Sequence, residues 1–361
     1  VDPEIVEKGP GGHAAQTAEA RPDHAAESVS GANGPKDESS SSGVDYAGDV
    51  VEESSRYARL VMEMCAGMEF DVIHAHDWMT YPAGLAIARA TGKPLVAHIH
   101  STEFDRSGEH VNERVYDIER RGMHGAVRVI AVSQLTAKIC EHRYGVLPET
   151  IRVVYNGVEQ GGAMERLPEP VLSKDRIVLF LGRITMQKGP EYFVRAAKRV
   201  LEKTDDVKFI VAGSGDLARQ MIEQAAELGI GHKVLFAGFL RGDDVQRVFR
   251  MADCYVMPSV SEPIAPLEAM SNDVPVIISK QSGVSEVLRH ALKVDFWDVD
   301  EMANKIVAVL RHPPLSQTLR EQSRLDLRTL TWDGAAEKCL GVYREAIGVV
   351  DGVPTAVAGA R

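Results

Sequence analysis

Two cations fall within one short loop, Gly182-Arg183-Ile184-Thr185-Met186-Gln187-Lys188-Gly189-Pro190, directly after the apolar run 177–181. A glycine that lets backbone approach, a guanidinium that grips two oxygens at once and an ammonium beside a helix start together suit a diphosphate. Solvated loop charges would read the same way, so Arg183 and Lys188 need company. A second strand end offers it. After 254–257 the chain continues Pro258-Ser259-Val260-Ser261-Glu262-Pro263-Ile264-Ala265-Pro266-Leu267-Glu268, two carboxylates among three prolines. A carboxylate accepts from paired vicinal hydroxyls, so one acid suits a ribose and the other a hexose. Pro266 and Glu268 equally make an ordinary helix start. A third loop carries Gly213, Gly215 and Asp216, where sharp turning, close packing and ligand contact all fit.

Histidines crowd two further strand ends, His74-Ala75-His76-Asp77 and His98-Ile99-His100-Ser101-Thr102-Glu103. Alternation sets His98 and His100 on one face and His74 and His76 on another. A metal site would need three of them to converge, so they are read as hydrogen-bonding groups and no metal ligand is expected. The four cysteines, Cys65, Cys140, Cys254 and Cys339, are far apart with no C-x-x-C pair, which points to a reducing, cytoplasmic setting.

These loops need strands to hold them. Short, nearly continuous apolar runs alternate with amphipathic helices, the pattern of parallel sheets covered on both faces. Strands are predicted over 71–75, 95–100, 128–132 and 151–155, then over 177–181, 208–212, 234–237, 254–257 and 276–279. Helices are predicted over 81–90, 191–202 and 217–228, and the chain closes with three more over 299–310, 315–325 and 333–347. Order is expected to begin in a helix whose apolar stripe is Tyr57, Leu60, Val61, Met64 and Met68. Residues 1–55 hold twelve acids against three bases and a single aromatic, Tyr46, and read as a disordered acidic tail. Domains follow at 56–158 and 174–330, joined by a Gly- and Pro-bearing linker over 159–173, with a last helix over 331–348 and a tail over 349–361.

The tail holds nine of the eleven net negative charges. The remainder is nearly neutral, so a nucleic-acid groove is not expected. No run reaches the roughly 18 apolar residues of a membrane span.

FDVIHAHDW (70–78), VAHIHSTEF (96–104), VVYNGV (153–158), LGRITMQKG (181–189), VAGSGD (211–216) and SEPIAPLEAM (261–270) stand in an order and spacing that resemble family 4 of the retaining glycosyltransferases. These are relatives of the glycogen synthases, and the likeness covers about 56–347. It implies the GT-B fold, two facing Rossmann-like domains, with the last helix crossing back to the first. It implies that Arg183 and Lys188 neutralise the donor diphosphate, that Glu268 binds the ribose, and that Glu262 holds donor-sugar hydroxyls. Gly213, Gly215 and Ile264 would also line the donor, His100 would face the transferred sugar, and Asp77 and Glu103 would stand on the acceptor side.

The implied reaction moves a hexosyl group, glucosyl first, from a UDP- or ADP-sugar to a carbohydrate or other hydroxyl acceptor, an α-glucan first, with no cofactor. Two departures from the family pattern set expectations of their own. Five residues rather than seven separate Glu262 from Glu268, and the strands that usually precede the equivalent of Phe70 are replaced by the acidic tail. The first domain is therefore expected to be N-terminally truncated and completed by an oligomeric partner or a missing segment. The alternative to an active enzyme is a catalytically impaired protein that binds nucleotide sugar without turnover.

Overall fold

In the computed structural model, residues 48–159 and 175–352 are described. The expected tail up to 47, nearly all of the expected linker and residues 353–361 lie outside them.

Helix α1 (Gly48–Met64) opens the described chain, inside the segment expected to be disordered to residue 55. Its buried face is not the predicted stripe. Ser54 and Ala58 turn inward, with Val50 and Val51 packed beside them, while Tyr57, Leu60, Met64 and Met68 remain exposed. Small residues let α1 lie close on the next helix, where the Ser54 hydroxyl donates to the Met79 carbonyl. Burial followed backbone proximity rather than side-chain size.

The first sheet comprises β1 (Ile73–His76), β2 (Leu95–Ile99), β3 (Arg128–Ala131) and β4 (Ile151–Val153), parallel throughout and in that spatial order. Between them run α2 (Asp77–Thr91), α3 (Glu103–Ser107), α4 (Glu113–Gly125) and α5 (Gln134–Tyr144). Their ends follow local chemistry. Thr102 and Asp105 form a capping box on α3, Asn112 caps α4, Ser133 caps α5, and Gly92 ends α2 in the left-handed region.

The second sheet holds β5 (Arg176–Leu181), β6 (Val207–Ala212), β7 (Val234–Gly238), β8 (Cys254–Met257), β9 (Val276–Ser279) and β10 (Leu292–Val294) in the order β10-β9-β8-β5-β6-β7. Strand β10 escaped the sequence reading, being three residues long without a clear alternation. Helices α6 (Pro190–Leu201), α7 (Ala218–Glu227), α8 (Asp243–Met251) and α9 (Ala265–Ser271) connect the strands, and α10 (Val299–Arg311) and α11 (Pro313–Leu327) follow them. The α/β class is as the residue pattern requires. In this strand order the chain reverses direction across the sheet between β5 and β8, the kind of switch point beyond whose strand ends open α/β sheets gather ligands.

Helix α12 (Trp332–Val350) returns to the first sheet. Val342 and Ala346 pack with Val96, Ile130 and Val154, and Glu345 pairs with Arg128 at 3.1 Å and Arg152 at 2.7 Å. No helix among the described residues is long and apolar enough to cross a membrane.

Ala346 is wholly buried against this sheet. Ala346→Leu should overpack the seam and cost about 1–3 kcal/mol, read as a lower urea midpoint with unchanged slope. An unchanged midpoint would mean that α12 does not seat there.

Candidate active site

The loops after β5 and β8 lean on each other. Gly189 has φ +64, and a Cβ there would stand 2.4 Å from the Pro258 carbonyl oxygen, so only glycine permits this approach. Gln187 accepts on its backbone carbonyl from Val260 N–H at 2.9 Å and from the Ser259 hydroxyl at 3.0 Å. Lys188, 8% exposed, reaches across to donate to Ser261 Oγ at 2.8 Å. With its amide oriented to satisfy both neighbours, Gln187 accepts from Arg183 at 2.8 Å and donates to the Asp105 carbonyl. Arg183 itself is exposed at the mouth.

The third loop resolves toward packing. A Cβ on Gly213 would lie 1.8 Å from the Gly182 carbonyl oxygen and one on Gly215 2.2 Å from that of Ile184. Gly213 also lines a cleft of about 160 Å³ with Leu181, Arg183, Phe239 and Val245. Ile264 stands 36% exposed immediately before α9.

The first sheet supplies the facing wall. Glu286, just after β9, accepts from the Gln134 and Leu135 N–H groups at 2.8 Å each and from the Tyr155 hydroxyl at 2.8 Å. One carboxylate of the second half thus caps α5 of the first. Glu262 faces this junction. A Cβ on Gly283 would meet its Oε1 at 1.6 Å, and that oxygen is buried without a hydrogen-bond partner. Burial pushes the Glu262 carboxyl up to about 7, helped by Glu286 and Asp105, while the Ser133 hydroxyl and Lys188 draw it down. Burial also lowers Lys188 to about 8, with Arg183 acting in the same sense and Glu262 and Asp105 opposing. Burial raises the half-buried Glu268.

His100 lies at the end of β2, its N–H donating to Asp77 Oδ1 at 2.8 Å. Asp77 takes φ +58 to make that contact, a strained conformation that short polar residues tolerate best. The acceptor-side reading of Glu103 does not hold. It is wholly buried, accepting from Ser107 Oγ at 2.6 Å, Asn112 N–H at 3.1 Å and Arg106 Nε at 3.1 Å. Its oxygens are engaged in holding α3 and α4 together and are closed to an acceptor.

The expected division of the histidines between two faces is also corrected. Parallel register pairs His76 with His98, so the alternations of β1 and β2 run in phase and the four rings share one face. His74 Nε2 lies 3.1 Å from His98 Nδ1, and His76 Nδ1 lies 2.9 Å from His100 Nε2. Burial followed by mutual repulsion lowers His98 to about 2 and His74 to about 4, and lowers His76 too.

Asp105, Ser133, Gly283 and Glu286 escaped the sequence reading. Ser133 offered a signal, a hydroxyl directly after a strand with Thr136 three residues on. Glu286 and Gly283 offered none, since only the packing of the two halves gives them a role.

Two family models match the chain. Residues 46–160 match "Glycosyltransferase Family 4" and residues 165–326 match "Glycosyl transferases group 1". An uncharacterized glycosyltransferase of Methanocaldococcus jannaschii is 31% identical over 77% of this chain and 76% of its own length. D-inositol 3-phosphate glycosyltransferase 1 of Catenulispora acidiphila is 28% identical over 80% of this chain and 77% of its own. Among solved structures, sucrose-phosphate synthase of Thermosynechococcus elongatus superposes with a TM-score of 0.71 at 21% identity, covering 83% of this chain and 79% of that one. Anabaena HepE in complex with UDP and glucose superposes with a TM-score of 0.66 at 18% identity, covering 83% and 81%.

Lys188 makes a stability prediction. Its folded pKa of about 8 lies below the ordinary 10.5, so the fold disfavours its charged form. The deficit, about 3 kcal/mol by order of magnitude, is fully present below about pH 8 and shrinks as pH rises toward the ordinary lysine value. Lys188→Met should therefore raise the unfolding free energy at neutral pH by roughly 1–3 kcal/mol after the Ser261 bond is lost, read as a higher urea midpoint with unchanged slope, and by less near pH 10. A less stable variant at neutral pH would contradict this.

Proposed function

Because the chain belongs to the glycosyltransferases, we propose that it transfers a hexosyl group, glucosyl first, from a UDP- or ADP-sugar to a hydroxyl acceptor with retention at the anomeric carbon. The observation that carries this reading is the pairing of opposites at one switch point. Lys188 and Arg183 come from the β5 loop, and the Glu262 carboxylate, with one oxygen unpartnered, comes from the β8 loop.

Each group has a task in this reading. Arg183 and Lys188 take up the charge that accumulates on the departing diphosphate, in a partly water-excluded setting where fixed cations act strongly. Glu262 accepts from hydroxyls of the donor sugar, which supply the partner that its buried oxygen lacks. Glu268 accepts from the ribose, and the cleft beneath Phe239 takes the base. His100, oriented by Asp77 and His76, faces the sugar from the opposite half. The acceptor hydroxyl oxygen bonds to the anomeric carbon from the face on which its bond to the diphosphate breaks, and its proton passes to the departing phosphate oxygen, so no protein nucleophile is needed and the two cations serve both bond breaking and product stabilisation.

An α-glucan remains the first acceptor proposed. A relative whose name specifies inositol 3-phosphate makes that compound the natural comparison. The experiment offers UDP- and ADP-glucose with an α-glucan and with inositol 3-phosphate, following nucleotide release and the anomeric configuration of the product. Transfer with retention supports the proposal. UDP binding without transfer to any acceptor would instead favour the impaired-binder reading, which the short span from Glu262 to Glu268 suggests.

Substitutions separate the roles. Arg183→Ala should lower kcat/KM about 10²–10³-fold and weaken UDP binding. Glu262→Gln should lower kcat while leaving UDP affinity within about threefold, a split that follows from contact with the sugar alone. Loss of UDP affinity in Glu262→Gln would count against its assignment to the sugar.

A further inference from the structure

Four imidazoles gather at the carboxyl ends of β1 and β2. Ring centres lie 4.2 Å apart for His74 and His76, 4.9 Å for His76 and His98, and 4.3 Å for His98 and His100. One ligand-capable nitrogen from each of His74, His76 and His98 falls within 4.8 Å of the others. His98 is 6% exposed, and its Nε2 is buried with no hydrogen-bond partner. A buried ring nitrogen left so, among two more imidazoles, marks a place where a ligand is wanted.

We propose that His74, His76 and His98 bind a divalent transition-metal ion of the zinc type. The ligand-capable nitrogens lie no more than 4.8 Å apart, so modest ring rotations bring them to the roughly 3.3 Å edges of a tetrahedron with zinc–nitrogen bonds of about 2.0–2.1 Å. His74 contacts the Tyr343 hydroxyl of α12 through Nδ1, an outer partner of the kind that fixes a ligating ring and leaves Nε2 for the ion. The convergent group contains His74, His76 and His98 and no carboxylate, so the donor set is imidazole. That set favours zinc, nickel or copper over magnesium or calcium. The ion would tie β1 to β2 and, through Tyr343, would brace α12 against the first sheet. Hydrogen bonding explains one nitrogen of each pair; the metal also accounts for His98 Nε2.

The test uses the untagged full chain, stripped with a chelator and titrated with Zn²⁺ and, separately, Co²⁺. The expected results are uptake of about one equivalent, the strong visible absorption of four- or five-coordinate Co²⁺, and a melting temperature that climbs with free Zn²⁺. His98→Ala and His76→Gln should each weaken binding at least about tenfold, whereas His232→Ala, in the turn just before β7, should not. His76 is exposed, so His76→Gln keeps the test decisive even where His98→Ala fails to fold. Absence of saturable Zn²⁺ uptake, or uptake that persists undiminished in His76→Gln, would overturn the proposal.

Discussion

Everything in the candidate site hangs on one contact, the approach of the loop after β5 to the loop after β8. Gly189 pressed on the Pro258 carbonyl fixes their separation, and Lys188 hydrogen-bonded to Ser261 fixes their chemistry. The strand order makes this contact unavoidable, because β5 and β8 are neighbours whose following helices leave the sheet toward opposite sides. The cost is a lysine held in a place that disfavours its charge and a glutamate raised toward neutrality beside it. Such a pair is poorly explained by folding alone and well explained by a ligand that brings its own negative charge and hydroxyl donors.

The two halves are joined in ways that protect this geometry. Glu286 caps α5 across the junction, and Gln187 reaches the Asp105 carbonyl, so the cationic loop is braced from the first sheet. On the far side α12 returns to cover that sheet, with Glu345 shared between Arg128 and Arg152. The halves therefore share a seam of charged groups and carbonyls rather than a continuous apolar core. A polar seam suits domains that must part to admit substrate and close for chemistry.

The parallel α/β class was legible because apolar runs such as 178–180 and 254–257 stop sharply at loop residues. The cationic and acidic loops were legible for the same reason, as polar residues standing where strands end. Face and depth were not. Glu103 carries the same charge as Glu262, and nothing local says that the first is locked by Arg106 and Ser107 while the second faces a junction. Alternation alone does not place the four histidines on one face, because the phase between strands depends on register, which a single strand does not contain. The buried side of α1 was missed because its seam is built on Ser54 and Ala58, residues that carry little weight in an apolar pattern.

The most direct test of the account is calorimetric titration of UDP between about pH 7 and pH 9, for the natural chain and for Lys188→Met. If Lys188 meets the diphosphate as a cation, affinity of the natural chain should fall toward tenfold per pH unit as pH passes about 8, and the Met variant should bind weakly with no such slope. Equal affinity in the two proteins, or the same pH dependence in both, would contradict it.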